Sequence, residues 1–250
     1  MKRTQVQTLY DASYAKAYDE KFLHSKVDRT RTQEFARMLN GHLGDAKEGK
    51  SWLDLGCGTG YFLSQFPHHK RAGLDLSPAM LDIAQRRNPG VEFTQGSFAE
   101  DHPEWTGQWD VISCMWYAYG LLDNLRDIRT MLVNMAKWCK PDGVVFLHYA
   151  NPRLISGTTL PDTIQHPQGL IQIDSIQWSF VEPGDKVHIS QLAPTLEWLR
   201  ESTRDLFARM EVQQHAPADP ALLKEVDAEW AKAVQAEEVI LFHNPLNQST

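Results

Sequence analysis

Two carboxylates and three glycines carry the chemistry legible in this chain. Asp54-Leu-Gly56-Cys57-Gly58-Thr-Gly60 follows the apolar run Ser51-Trp52-Leu53 and leads into Tyr61-Phe62-Leu63, so it reads as strand, tight turn and helix. Asp75 lies fifteen residues beyond Gly60, at the end of a second short run, Arg71-Ala-Gly-Leu-Asp75. A glycine turn followed by an acid at the tip of the next strand can hold a ribose-bearing ligand at the edge of a parallel sheet. The carboxylate accepts from the ribose hydroxyls, and the bare turn lets backbone approach.

The glycine spacing narrows the ligand. A dinucleotide fingerprint runs G-x-G-x-x-G and offers a helix N-terminus to a pyrophosphate. Here glycines occupy alternate positions and Asp54 stands ahead of them. That acid repels a pyrophosphate and suits a ligand carrying an ammonium group. Leu53-Asp-Leu-Gly-Cys-Gly-Thr-Gly60 resembles the cofactor loop of class I S-adenosylmethionine-dependent methyltransferases of the small-molecule type.

The resemblance has specific motifs over residues 50–150 and only a shared layout elsewhere. It implies S-adenosyl-L-methionine as cofactor and S-adenosyl-L-homocysteine as product. Asp54, Gly56, Cys57, Gly58 and Gly60 would form the loop, Asp75 would take the ribose, and the backbone of Cys114 would meet the methionyl ammonium. Leu76 and Met80 would flank the adenine, although Met80 reads equally as helix packing. The run Thr94-Gln95-Gly96-Ser97-Phe98 departs from the family pattern, because Ser97 stands where many members carry an aspartate for the adenine amino group. Gly96, Ser97 and Phe98 would then read the base through amides, a hydroxyl and ring stacking, or Phe98 belongs to the core. Tyr10-Asp-Ala-Ser-Tyr14-Ala-Lys-Ala-Tyr18-Asp19 is similar to the family's lid, which implies Tyr10 and Tyr18 on the cofactor and Tyr14 on the substrate. Taken alone, tyrosines at i, i+4 and i+8 form an aromatic stripe on one helix face.

Methyl transfer from a sulfonium is an in-line displacement with an activated leaving group. The protein must align the acceptor and exclude water, and a strong base is optional for an amine or phenolate. His148 and Tyr117 are the candidate catalytic residues, with Tyr149, Tyr119 and His188 behind them. His148 and Tyr149 point to opposite sheet faces, so at most one reaches a pocket. Trp116, Tyr119 and Trp178, with Tyr14, would wall a pocket for a flat or amphipathic small molecule, or would glue an inserted segment to the core. The tip Cys114-Met-Trp-Tyr117 lacks the Asn/Asp-Pro-Pro-aromatic run of adenine-amino enzymes, the Pro-Cys of pyrimidine enzymes and the acids of metal-dependent catechol enzymes. The histidines show no metal-ligand spacing, so no metal is expected.

The elements that must position these residues alternate. Strands are expected near 51–56, 71–75, 91–95, 109–114 and 143–149, and helices near 60–66, 77–87 and 122–139. Ser77-Pro78 is a helix start and Lys140-Pro-Asp-Gly143 a stop. The rhythm specifies an α/β fold: a doubly wound, Rossmann-like, seven-stranded, mostly parallel sheet with an antiparallel end. One domain over 1–250 is expected, divided into a helical lid (1–50, with a helix from Thr30 to Leu43), a cofactor-binding core (51–150), a substrate-side insertion (151–190) and a C-terminal part (191–250). In the insertion, Leu170–Phe180 and Lys186–Ile189 read as one hairpin around a Pro-Gly turn. Pro194–Phe207 and Pro220–Gln235 read as helices, and 210–214 and 239–243 as the closing strands.

Composition sets the outer limits. The chain has 250 residues, a formal net charge of -7 and a pI near 5.8, which argues against a nucleic-acid partner. Three scattered cysteines suggest free thiols in a reducing compartment, and the lack of a long apolar run or a leader-like N-terminus suggests a cytoplasmic, membrane-free protein. A small-molecule methyltransferase acting on N or O is the leading reading. An RNA or protein methyltransferase and a non-catalytic S-adenosylmethionine-binding protein are the alternatives.

Overall fold

The apolar runs become a sheet whose central strands are buried on both faces, while the edge strand at 92–95 stays partly exposed. The computed structural model describes residues 3–24, 26–45, 47, 49–152, 163–181, 188–214 and 237–245. The expected helix at Pro220–Gln235 and parts of the insertion lie outside the described residues. The strands are β1 (Ser51–Leu55), β2 (Lys70–Asp75), β3 (Glu92–Gln95), β4 (Trp109–Cys114), β5 (Cys139–Ala150), β6 (Thr163–His166), β7 (Gly169–Gln172), β8 (Ser175–Val181), β9 (His188–Pro194), β10 (Arg209–Gln214) and β11 (Glu237–His243). The seven-stranded sheet has the order β10-β11-β5-β4-β1-β2-β3. Only β11 runs antiparallel to its neighbours, β5 and β10. The order reverses between β1 and β4, which puts the mouth of the sheet beside the Asp54 loop.

Helices α1 (Arg3–Leu9), α2 (Ala12–Phe22) and α3 (Lys26–Leu43) precede the sheet. α4 (Tyr61–Ser64), α5 (Pro78–Arg87), α6 (Leu125–Trp138) and α7 (Leu196–Thr203) follow. α6 shows why the rhythm folds as it does. Ile128, Met131, Leu132, Met135 and Trp138 recur at helical spacing and are all buried, at roughly 1.5–3 kcal/mol for each large side chain. Asn124 caps its first turn by accepting from Asp127 N. Ser77 caps α5 through Met80 N, with Pro78 in the first turn.

Three expectations change. The tyrosines do not share one helix: α1 ends at Leu9, Asp11 caps α2 through Tyr14 N, and Tyr10 sits in the break. The insertion forms two hairpins, because Ile173-Asp174 interrupts Leu170–Phe180. β6 (Thr163–His166) pairs with β7 (Gly169–Gln172), and β8 (Ser175–Val181) pairs with β9 (His188–Pro194). Lys140–Gly143 does not separate helix from strand; it lies inside β5, where Asp142 takes φ +63° and the pairing with β4 slips.

Candidate functional site

The loop after β1 is held from below and open above. Gly56 N and Cys57 N both donate to Leu74 O on β2, at 2.7 and 3.1 Å. Gly56, Gly58 and Gly60 all have positive φ, which side chains other than glycine rarely adopt. A Cβ at Gly56 would stand 2.6 Å from Ala118 Cβ, whereas one at Gly58 would meet open space. Gly56→Ala is therefore expected to force the Ala118 turn off the loop, lowering stability by about 1–3 kcal/mol in a thermal melt and narrowing the cavity beside it.

Asp75 ends β2 with both oxygens directed. Oδ2 accepts from Gly58 N at 2.9 Å and Oδ1 from Ser77 N at 2.8 Å. Burial pushes its carboxyl up, and these backbone N–H groups pull it back. Asp54 is 2% exposed, and its Oδ1 accepts from Ser113 Oγ at 2.6 Å. Burial pushes Asp54 up to about 7; the Ser113 bond opposes the shift and Asp75 adds to it. The Cys57 and Cys114 thiols are buried and free, and burial pushes both well up, which leaves them inert.

Beside the loop and Asp75 lies a cavity of about 330 Å³, within the range of small-ligand pockets. Gly56, Gly58 and Asp75 form one wall. Leu76, Met80, Ser97 and Phe98 continue it, and Tyr10 and Tyr18 close it from the N-terminal segment. α1 and α2 are tied down over it. Asp19 accepts from Thr59 Oγ1 at 2.6 Å and pairs with Arg87, and Ser77 Oγ donates to Tyr10 O at 2.6 Å. Tyr10, Tyr14, Tyr18 and Phe22 stack along this segment with centroids 5.0–6.3 Å apart.

Other sequence candidates stand elsewhere. Asp54, Cys57, Gly60, Gly96 and Cys114 support the loop and the strand tips without forming the cavity wall. Trp116 lines the cavity, but Tyr14, Tyr119 and Trp178 do not. The Tyr119 hydroxyl accepts from Ala150 N at 3.2 Å in the core. Trp178 is partly buried on β8, opposite Gln191 of β9, and Gln191 is the residue that faces the cavity. Gly120 permits that approach, since a Cβ there would lie 3.0 Å from Leu192 O.

His148 and Tyr117 also turn away from the cavity. His148 is fully buried against Phe35, and its Nδ1 accepts from Trp116 N at 3.2 Å. That bond fixes Nδ1 as the acceptor and uses the lone pair a base would need. Tyr149 points to the opposite face and donates to Pro194 O at 2.8 Å. Tyr117 Oη donates to Glu237 Oε1 at 2.8 Å. Glu237 also receives Arg31 Nε at 3.0 Å and Nη2, and Arg31 Nη1 reaches Asp28 at 3.2 Å. Burial works most strongly against the Arg31 charge, but Glu237, Tyr117 and Asp28 together raise the guanidinium above its ordinary value. Trp116 and Tyr117 both carry left-handed backbone, with φ 54° and 57°. Arg31 lies over the Trp116 ring at 5.2 Å. This cluster holds a strained bend at the cavity floor.

Sequence reading missed Arg31, Glu237, Gln191 and Glu100. Glu100 lines the cavity, and its Oε2 accepts from Ser97 N at 3.1 Å, so an acid does stand on this loop three residues beyond its usual place. Among the described residues, no histidine, lysine or arginine lines the cavity, no group of three His, Cys, Asp or Glu side chains could hold a metal, and no helix is long and apolar enough to cross a membrane.

Known proteins match this architecture. A family profile described as a methyltransferase domain matches residues 25–207. A dTDP-4-amino-2,3,4,6-tetradeoxy-D-glucose N,N-dimethyltransferase of Saccharopolyspora spinosa is 32% identical over 146 residues, 57% of each chain. A malonyl-[acyl-carrier protein] O-methyltransferase of a Paenibacillus species is 38% identical over 91 residues, 34% of this chain and 32% of that protein. The chain thus aligns with little more than half the length of the first of these relatives and about a third of the second. DesVI of Streptomyces venezuelae superposes with a TM-score of 0.61 at 18% identity, over 93% of this chain and 98% of that one, which shows a shared fold. From its sheet order, its glycine loop and the profile match, the chain belongs to the methyltransferase-domain family and has the class I, Rossmann-like fold.

Proposed function

We propose that the chain binds S-adenosyl-L-methionine in this cavity and transfers its methyl group to a nitrogen or oxygen of a small-molecule acceptor, leaving S-adenosyl-L-homocysteine. The observation that carries the reading is the Asp75 carboxylate facing the cavity beside Gly58, whose bare backbone borders open space. The residues present fit the group. Asp75 suits the ribose hydroxyls, the Gly56–Gly60 loop the methionyl part, and Leu76, Met80 and Phe98 an aromatic base, with Glu100 as an acceptor for its amino group. When bound, the sulfonium supplies an activated methyl group. Tyr10 and Tyr18 exclude water, and Trp116 and Gln191 orient the acceptor.

An amine acceptor suits this wall. His148 and Tyr117 are committed to the buried cluster, so a reaction that needs no strong base fits best, and an amine keeps some neutral population near neutral pH. The aminosugar N,N-dimethyltransferases among the relatives, from Saccharopolyspora spinosa, Streptomyces venezuelae and Streptomyces fradiae, support nitrogen. The malonyl and ubiquinone-pathway O-methyltransferases keep oxygen in view. The test offers methyl-labelled S-adenosylmethionine with a panel of aminosugar nucleotides, phenols and carboxylic acids. The expected result is label on the amine. Calorimetry that finds no affinity for either S-adenosylmethionine or S-adenosylhomocysteine would overturn the reading.

A further inference from the structure

Past the end of β4 the chain makes a bend that side chains resist. Cys114 pairs with Leu147 of β5 in the last rung of that ladder. Trp116 and Tyr117 then take left-handed backbone in succession, although neither is glycine. Cβ crowds the following carbonyl oxygen in that region, so two such residues in a row persist only where their surroundings hold them. The bend also shapes the cavity. Met115, Trp116 and Ala118 border it, while Tyr117 is turned out of it. Ala118 packs on the glycine loop, since a Cβ at Gly56 would stand 2.6 Å from its own. Gly120, two residues on, comes up against Gln191 and Leu192 of β9. The bend therefore sits between the loop after β1 and the inserted hairpin.

Its own hydrogen bonds are short-range: Ala118 N donates to Met115 O at 3.1 Å and Gly120 N to Tyr117 O at 2.8 Å. Two bonds tie it to the rest of the molecule. Tyr117 Oη reaches Glu237, and burial, followed by the Glu237 charge, pushes its phenol well up and keeps it a donor. His148 takes the backbone N–H of Trp116, the first left-handed residue. An imidazole that accepts at Nδ1 carries its proton on Nε2, and Nε2 stands 3.8 Å from Glu237 Oε1. Phe35, Tyr117 and Trp116 pack around the ring with centroids at 4.2, 4.4 and 5.4 Å. The ring is thus fixed in place and spans the end of β4 and the carboxylate of β11.

We infer that His148 is a positioning residue: its Nδ1 holds the Trp116–Tyr117 bend, and the bend, through Ala118, holds the cofactor loop against its ligand. This rests on the proposed S-adenosylmethionine site and adds a residue outside the cavity that sets its affinity. The ring accepts one backbone N–H and moves no proton in the reaction.

Calorimetry of S-adenosylhomocysteine with the full chain tests this. His148→Leu, which has no acceptor, is expected to bind about tenfold more weakly, the size of one lost hydrogen bond. His148→Asn puts an amide oxygen where Nδ1 stands and should stay within about threefold of wild type. His148→Gln carries the same amide one bond further out, toward Glu237, and should fall with His148→Leu. The two amides bring the same polar group into the same buried place, so a ring that only filled the core would give both variants equal losses. Nitrogen NMR of the histidine-labelled wild type carries the test if the variants do not fold, and should find His148 bare at Nδ1 and protonated at Nε2. Wild-type protein that binds neither S-adenosylhomocysteine nor S-adenosylmethionine would overturn the site itself. Wild-type binding with affinity unchanged in His148→Leu, equal losses in the two amide variants, or a proton on Nδ1 would overturn this inference and leave the site standing.

Discussion

Asp75→Ala is expected to weaken S-adenosylmethionine binding by about a hundredfold or more, measured by calorimetry. Two ribose hydroxyls on one carboxylate make two charge-assisted bonds of about 1.5–3 kcal/mol each, and both are lost together. The same change removes the acceptor for Gly58 N and Ser77 N, so the loop loses an anchor as well as a ligand contact. Asp75→Asn separates the two effects. An amide oxygen can still accept from one backbone N–H, so the fold should hold and affinity should fall by a smaller factor. Equal affinity in wild type and both variants would remove Asp75 from the site.

The second large effect concerns stability and lies outside the cavity. Arg31→Met alone, or Glu237→Leu alone, is expected to destabilise the protein by about 3–5 kcal/mol, because each leaves the other charge buried without its partner. In a chain of this size that is a fall in melting temperature of about 10 °C. The double variant should recover most of the loss, since two apolar side chains carry no charge to desolvate. It should still bind the acceptor poorly, because Tyr117 loses its acceptor and the Trp116–Tyr117 bend loses its brace. A double variant no more stable than the singles would show that Arg31 and Glu237 do not act as a pair.

Parts of this were legible for physical reasons. The glycine loop is local: alternate glycines after an apolar run specify a turn whatever surrounds it, and all three take positive φ. The Arg31 cluster was written more faintly. Arg31, Phe35 and Leu39 fall at i, i+4 and i+8 on α3, so a charge sat on an otherwise apolar stripe, which is a sign of a buried partner. Nothing local named that partner, because Glu237 lies 206 residues away and meets Arg31 only when β11 enters the sheet beside β5. Glu100 was missed for a different reason. The family pattern directs attention to the residue at 97, and only the turn after β3 returns the carboxylate of residue 100 to the Ser97 amide.

The sequence by itself determined the α/β alternation, the loop and the acid at the tip of β2, since each depends on neighbours a few positions away. The tertiary structure alone decided which side chains border the cavity. Whether a strand-end residue reaches a ligand or the core depends on which helix covers that face: α3 covers His148 with Phe35, while the loop after β1 leaves Asp75 facing the cavity. No spacing in the chain records that choice, because it is made by contacts between residues far apart in sequence.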